Sequence, residues 1–282
     1  MLGDESVRPD GSDPSRDEAT QSDAAISLLA FVENRSEIDD LWPQQQDWQP
    51  LPILHRTGAI AALADIVPVE DYCGPAADRQ LKTLEWLAPR LARHAAILHW
   101  AMQWSPVFPV AFGTLYRTFE GLTSFMHAHE SAIEDFFQTV AGKEEWTLKA
   151  TTSFDRADKL EELARRSWPD WHALSPGTRY MRLCRERPAL AALGRKEARD
   201  RLADMVEDLR PAVSAVKACD ASLPHNDTKA ETLGSYAVLV DIAATAQFQE
   251  QMQDFNARAA LHDIAISLSG PWPPFGFRPH LG

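Results

Sequence analysis

LKTLEWLAPRLARHAAILHWAMQWSPVFPVAFGTLYRTFEGLTSFMHAHESAIEDFFQTVAGKEEWTLKA, residues 81–150, contains the changes of period that decide the fold class. Leu81, Leu84, Ala88, Leu91, Ala95, Leu98 and Met102 recur three and four apart, which draws one apolar stripe along a helix. Pro89 falls inside the stripe and is expected to kink the helix or to open a second helical segment. SPVFPVAFGT (105–114) reads as a short strand, and its two prolines suit a sheet edge. Phe119, Leu122, Met126, His129, Ile133, Phe136 and Val140 mark a second helix, which Gly142 is placed to cap. EEWTLKATT (144–152) then switches to period two: Trp146, Leu148 and Ala150 share one face, Glu145 and Lys149 the other.

Upstream, AISLLAFVE (25–33) is a short apolar run that reads as a buried strand. Pro43 and Pro50 bracket a loop, and LPILHRTGAIAALADIVPV (51–69) reads as two strands, or a strand and a short helix, turning near Thr57-Gly58. Residues 1–23 hold seven acids and two arginines with almost nothing apolar, the composition of a disordered, solubilising tail. Downstream, 153–177 are mixed, with SPG (175–177) as a loop. A long helical region is expected from Thr178 to Lys217, broken near Pro188, with Leu202, Met205, Leu209, Val213 and Val216 on its later face. LPHNDTK (223–229) is a polar turn cluster. SYAVLVDI (235–242) alternates, Phe248, Met252, Phe255 and Ala259 place another helix, and HDIAISLSG (262–270) alternates again. A further strand is sought in 228–234 or at the start of the following hairpin. The second half then reads strand, helix, strand, strand, helix, strand, which is the ferredoxin-like arrangement. The expected architecture is α+β in two domains, 24–142 and 143–282, each a small, mostly antiparallel sheet covered by helices on one face.

The net charge of −13 opposes broad nucleic-acid binding and adsorption to anionic membranes. Cys73, Cys184 and Cys219 are odd in number and scattered, as expected of reduced thiols in a cytoplasmic protein. Phosphate-cradling, zinc-protease and serine-hydrolase motifs are missing from the sequence, so no cofactor is expected. His127 and His129 point to different sides of a helix and His94 and His99 are five apart, so no metal site is expected. His94 and His129 read as satisfied packing histidines. The acid pairs Glu144-Glu145 and Glu161-Glu162 read as solvated, with no catalytic residue among them. An ion pair or partner contact is open to Glu145 and Lys149 on their shared face, against a plain solvated face. Trp272, Phe275 and Phe277 sit in a Pro-stiffened tail that either offers a contact surface or packs back over a sheet edge or the other domain. Packing back is favoured, because an exposed aromatic tail promotes aggregation.

Two segments carry a family resemblance. In 81–150, a helix ends in His94 followed by apolar residues, Pro106 and Pro109 flank a strand running into Phe112-Gly113-Thr114, and Gly142, Lys143, Glu145, Trp146 and Lys149 follow the second helix. In 267–277, Gly270, Pro271, Trp272, Pro273, Pro274 and Phe275 form a Gly-Pro-Trp-Pro-Pro-aromatic ending. Together, and in this order, they resemble the signatures of the F/L family of gas vesicle proteins. SPGTRYMRLCRER (175–187) is similar to the segment that opens the family's long helix, with Met181 in place of Leu. The departures are the acidic extension, Pro89, and Val110-Ala111 where the family tends to have Leu-Arg.

The resemblance implies two domains, the C-terminal one ferredoxin-like, and a non-enzymatic role as a minor structural or assembly component. It also implies association with the hydrophobic shell protein and with other accessory proteins, holding the shell protein from aggregation at nucleation, in the cytoplasm or on the vesicle. The competing reading is an enzyme or ligand sensor on a ferredoxin-like scaffold, which a deep pocket with converging polar groups would favour.

Overall fold

The first sheet is built on β1 (Ala24–Glu33), whose residues are buried on both sides. In the computed structural model, which describes residues 24–38, 50–153, 156–219 and 231–281, β1 pairs antiparallel with β3 (Ile60–Pro68). β2 (Ile53–Thr57) extends this pair through the expected turn at Thr57-Gly58. On its other edge β1 takes β4 (Val107–Pro109) and then β5 (Leu115–Tyr116), so the Pro-flanked segment lies at a sheet edge as its prolines require. A bulge falls between Leu28 and Ala30. It turns Leu29 and Ala30 to the same side, while Ile26, Leu28 and Phe31 face the other.

Each face of this sheet carries a helix, where one covered face was expected. α1 (Leu84–Ala101) packs on the Leu29, Ala30 and Val32 side, and α2 (Phe119–Val140) on the Ile26, Leu28 and Phe31 side. α2 buries Leu122, Met126, Ile133, Phe136 and Val140 as its spacing predicts. α1 does not follow its predicted stripe. Leu84 is 76% and Leu91 41% exposed, and burial begins at His94, continuing through Ile97, Leu98, Trp100 and Ala101. A helix so rich in Leu, Ala and Trp offers two apolar stripes, and contact with Ala61, Leu63 and Val107 selects one. The helix runs through Pro89 as one element.

The second sheet is ferredoxin-like. β6 (Lys143–Thr152) leads through α3 (Ala157–Ser167) and α4 (Pro176–Leu209) to β7 (Ala215–Cys219). β8 (Glu231–Asp241), α5 (Thr245–Ala260) and β9 (Ile264–Trp272) complete it. The order β7-β8-β6-β9, antiparallel throughout, places the two βαβ halves around central β6 and β8. Trp146, Leu148, Ala150, Val238 and Val240 face the three helices, and α5 buries Phe248, Met252, Phe255 and Ala259 as predicted.

Four expectations in this half are corrected. Residues 157–167 form an amphipathic helix, and the "mixed" stretch also holds Trp171, 1% exposed, with the Arg179 guanidinium 5.3 Å from its ring centre. SPG is a helix start, with Ser175 Oγ accepting from Thr178 N–H and Pro176 at the first position. Pro188 does not break α4, because the carbonyl that it leaves unpaired lies on an exposed turn beside Cys184. Val213 and Val216 lie beyond the helix, since the fourth strand is 215–219 and not a segment before Gly234, where β8 has already begun. The expectations for 1–23, the loop after Pro43 up to residue 49, and 223–229 lie outside the described residues.

α2 joins the halves. Leu239, on the face of β8 away from α3–α5, is 1% exposed and shares a core with Phe136, Phe137 and Val140 of α2. Leu239→Ala is expected to cost about 3 kcal/mol. Urea unfolding followed by both tryptophan emission and circular dichroism checks this, and a loss below about 1 kcal/mol would mean that the two halves do not share this core.

Candidate functional site at the seam between the two sheets

The strand face that opposes the helices of the second sheet is where the signature residues collect. Glu145 lies there at 5% exposure and accepts a hydrogen bond from the Gly276 N–H at 2.9 Å. It is therefore buried, not on a solvated polar face. Burial pushes its carboxyl up to about 7, against the opposing pull of the Gly276 N–H and of Lys217 on β7. Lys149, four residues further along the strand and on the same face, instead stands beside Ser235 and Ser267 of the neighbouring strands.

The segment after β9 packs back over this face. Gly270, with φ +147, lets the chain pass where a side chain would press on the Glu145 carbonyl and the Trp146 ring, each 3.0 Å away. A Cβ on Gly276 would stand 2.5 Å from the Ala237 Cβ, so only glycine brings this backbone onto Glu145. Pro273 and Pro274 are buried, and Phe277 and Leu281, half-buried, pack against the core between the first sheet and α2. Arg278 donates to the Pro109 carbonyl at 3.2 Å, which ties the tail to the Pro-flanked strand. Trp272 and Phe275 stay outside, 42% and 39% exposed.

The first signature forms a second cluster. Gly113, at φ +83, turns the chain so that the Thr114 N–H reaches the Ala111 carbonyl and the Thr114 carbonyl returns to the Leu28 N–H at 2.9 Å, closing the β1 bulge. Phe112 is left against the His94 ring, edge to face at 5.9 Å between centroids, and against Tyr72 at 5.8 Å. His94 is buried as expected but not satisfied: neither ring nitrogen makes a hydrogen bond of good geometry. Burial pushes its pKa down, with the Val110 backbone and Asp65 partly opposing. The His129 ring lies tilted against Phe125, 4.4 Å between centroids.

A groove of about 570 Å³ opens along the seam. Met102, Trp104 and Val140 line it from the first half, and Glu144, Ile242 and Pro271 from the second. At its rim His99 meets the Pro271 carbonyl at 3.2 Å and the Trp272 ring at 6.3 Å, and Ile242 is 55% exposed. Glu145 does not line this groove. Among the described residues no group of three or more His, Cys, Asp or Glu is placed to hold a metal, and no helix is long and apolar enough to cross a membrane. Sequence reasoning missed His99, Lys217, Ile242, Gly276 and Arg278. Only Gly276 left a signal, as a lone glycine between two phenylalanines where a close backbone approach is common.

Comparison with known proteins gives one consistent result. Residues 31–279 match the family model described as gas vesicle synthesis protein GvpL/GvpF. The chain is 24% identical over 234 residues to gas vesicle protein L of Streptomyces sp. (strain CB03234), covering 80% of this chain and 82% of that one. Among solved structures it resembles GvpF from Anabaena sp. PCC7120, with a TM-score of 0.66 at 15% identity over 91% of this chain and 97% of that one. It also resembles GvpF from Microcystis aeruginosa, with a TM-score of 0.59 at 15% identity over 91% and 99% of the two chains.

Two outcomes test the seam. Glu145 binds its proton more tightly folded than unfolded, so the folded state takes up more protons between about pH 4.5 and 7. Stability is thus expected to fall as pH rises through that window, by on the order of 3 kcal/mol, and to level off above it. Urea melts of wild type and Glu145→Gln should differ in this slope, and equal slopes would mean that the carboxyl ionises without cost. Gly276→Ala is expected to destabilise by about 1–3 kcal/mol through the clash with Ala237, read as a lower Tm.

Proposed function

We propose, because this chain belongs to the GvpL/GvpF family of gas vesicle proteins, that it acts without catalysis as an assembly component or minor wall component of the gas vesicle. In this reading it binds the small hydrophobic shell protein or other accessory proteins while the vesicle forms. The observation that carries the reading is the groove at the seam. Pro106, Gly142, Lys143, Pro271 and Pro274 of the signatures line it, and Ile242 and the neighbouring Trp272 stand exposed beside it. Exposed apolar groups around a groove mark contact with another protein rather than chemistry on a small molecule.

The perturbed carboxyl gives the enzymatic alternative little support. Glu145 is covered by the tail, and its raised pKa follows from burial under Gly276 rather than from a cluster of groups converging on a pocket. The signature positions His94, Pro109, Phe112, Gly113, Thr114, Glu145, Trp146, Gly270, Pro273 and Pro274 act in this reading by shaping the seam. Trp272 and Phe275 supply contact area.

The test is co-expression of this chain with the shell protein, followed by purification through a tag on this chain. The shell protein is expected to stay soluble and to co-elute. Ile242→Ser with Trp272→Ser is expected to reduce its recovery at least about tenfold while shifting Tm little, since both side chains are exposed. Undiminished recovery with the double variant would remove the groove from the interface, and no co-elution of wild type with the shell protein or any other vesicle protein would overturn the reading. Point substitutions are preferred to removal of the tail, which would open the core around Phe277 and Leu281.

A further inference from the structure

The α2 side of the first sheet carries a cluster of aromatic rings. Phe31 lies 6.0 Å from Phe108 and 6.2 Å from Phe125 between centroids, and Tyr116 lies 5.7 Å from Phe125. A cavity of about 300 Å³ remains beside them, and its outer wall is Arg278, Pro279, His280 and Leu281. The chain's own C-terminal segment is thus the occupant of an aromatic cleft in the opposite half of the molecule, and it fills that cleft incompletely.

Few backbone bonds hold this occupant. β9 ends at Trp272. Beyond it, the bonds from the tail to the rest of the described residues are Gly276 N–H to Glu145 and the Arg278 guanidinium to the Pro109 carbonyl. The Phe275 and Phe277 N–H groups donate within the tail, to Pro273 and Pro274. A segment held by side-chain burial and two hydrogen bonds opens at a lower free energy than a strand in a ladder. An open tail leaves the aromatic cleft exposed to water, which is unfavourable until an equivalent segment closes it. The recognition chemistry is specific: two bulky apolar side chains four residues apart, Phe277 and Leu281, with a guanidinium between them for a strand carbonyl. The same segment of another copy meets all of it.

We propose that this cleft is a recognition site in trans, which takes residues 273–281 of a second copy and links copies through exchanged tails. Exchange restores every contact of the closed chain, so its balance is set by concentration and by repulsion between chains of net charge −13. Salt, by screening that charge, favours it. The inference is independent of shell-protein binding and survives the failure of that reading.

The test uses a fluorescein-labelled peptide of residues 271–282, titrated onto full-length wild type and onto full-length Phe277→Ala/Leu281→Ala. In wild type the resident tail competes at an effective concentration in the millimolar range. The peptide is therefore expected to bind the double variant at least about tenfold more tightly, with loss of binding when the same two residues in the peptide are alanine. Circular dichroism melts show whether the double variant is folded, and if it is not, the milder Leu281→Ala chain takes its place. Light scattering of concentrated wild type at high salt is expected to show a dimer fraction that the variant lacks. Equal affinity for wild type and a folded variant, or no binding to the variant, overturns the cleft as a trans site. Peptide binding without a wild-type dimer overturns exchange between copies.

Discussion

The α2-facing side of the first sheet is apolar over more area than one helix can cover. Ile26, Leu28, Phe31, Ile60, Ala62, Ala64 and Phe108 all face that side. α2 covers part of it, and the remainder is closed by Leu239 of β8 and by Phe277 and Leu281 of the C-terminal segment. Burial of apolar surface is non-directional and proportional to area, so whatever closes this face is held there. That single requirement brings the second sheet against α2 and draws the tail across the seam.

The tail can lie there only if its backbone approaches β6 closely, and the signature residues serve that approach. Gly270 and Gly276 remove side chains where the strand, the Trp146 ring and Ala237 leave no room. Glu145 then finds itself under the tail with one backbone N–H as partner. A charged carboxylate in such a place is costly, and the rise of its pKa to about 7 expresses that cost. The Phe112-Gly113-Thr114 turn solves a related problem at the other edge: it returns a carbonyl to the Leu28 N–H, beside the β1 bulge. In this chain these residues bring two sheets around one shared core.

Much of the architecture is legible in local pattern. The apolar run 25–33, the turn at Thr57-Gly58, the α2 stripe, the alternation of 144–152 and the Phe248, Met252, Phe255, Ala259 face are each set by periods of two or 3.6 residues and by Gly or Pro at the breaks. The 157–167 helix was hidden by its polarity: only Leu160, Leu163 and Ala164 are buried among charged neighbours. The α1 face was misread because alternative apolar stripes coexist on one helix, and local sequence carries no term for the sheet that selects between them.

What the amino-acid sequence determined by itself is therefore most of the strongly periodic elements, the α+β class and the resemblance to the family. These depend on spacings within a few residues, where side-chain period and backbone preference act directly. Tertiary structure alone decided that Glu145 is buried, that His94 is buried with no hydrogen bond of good geometry at either ring nitrogen, that Leu239 belongs to the core of the other half, and that the tail closes an aromatic cleft while Trp272 and Phe275 remain outside. Those outcomes arise from contacts between residues far apart in the chain: Gly276 meets Glu145 and Arg278 meets Pro109 only because both sheets press on α2. No period within a segment encodes that meeting. It is fixed by the apolar area that each half leaves for the other to cover.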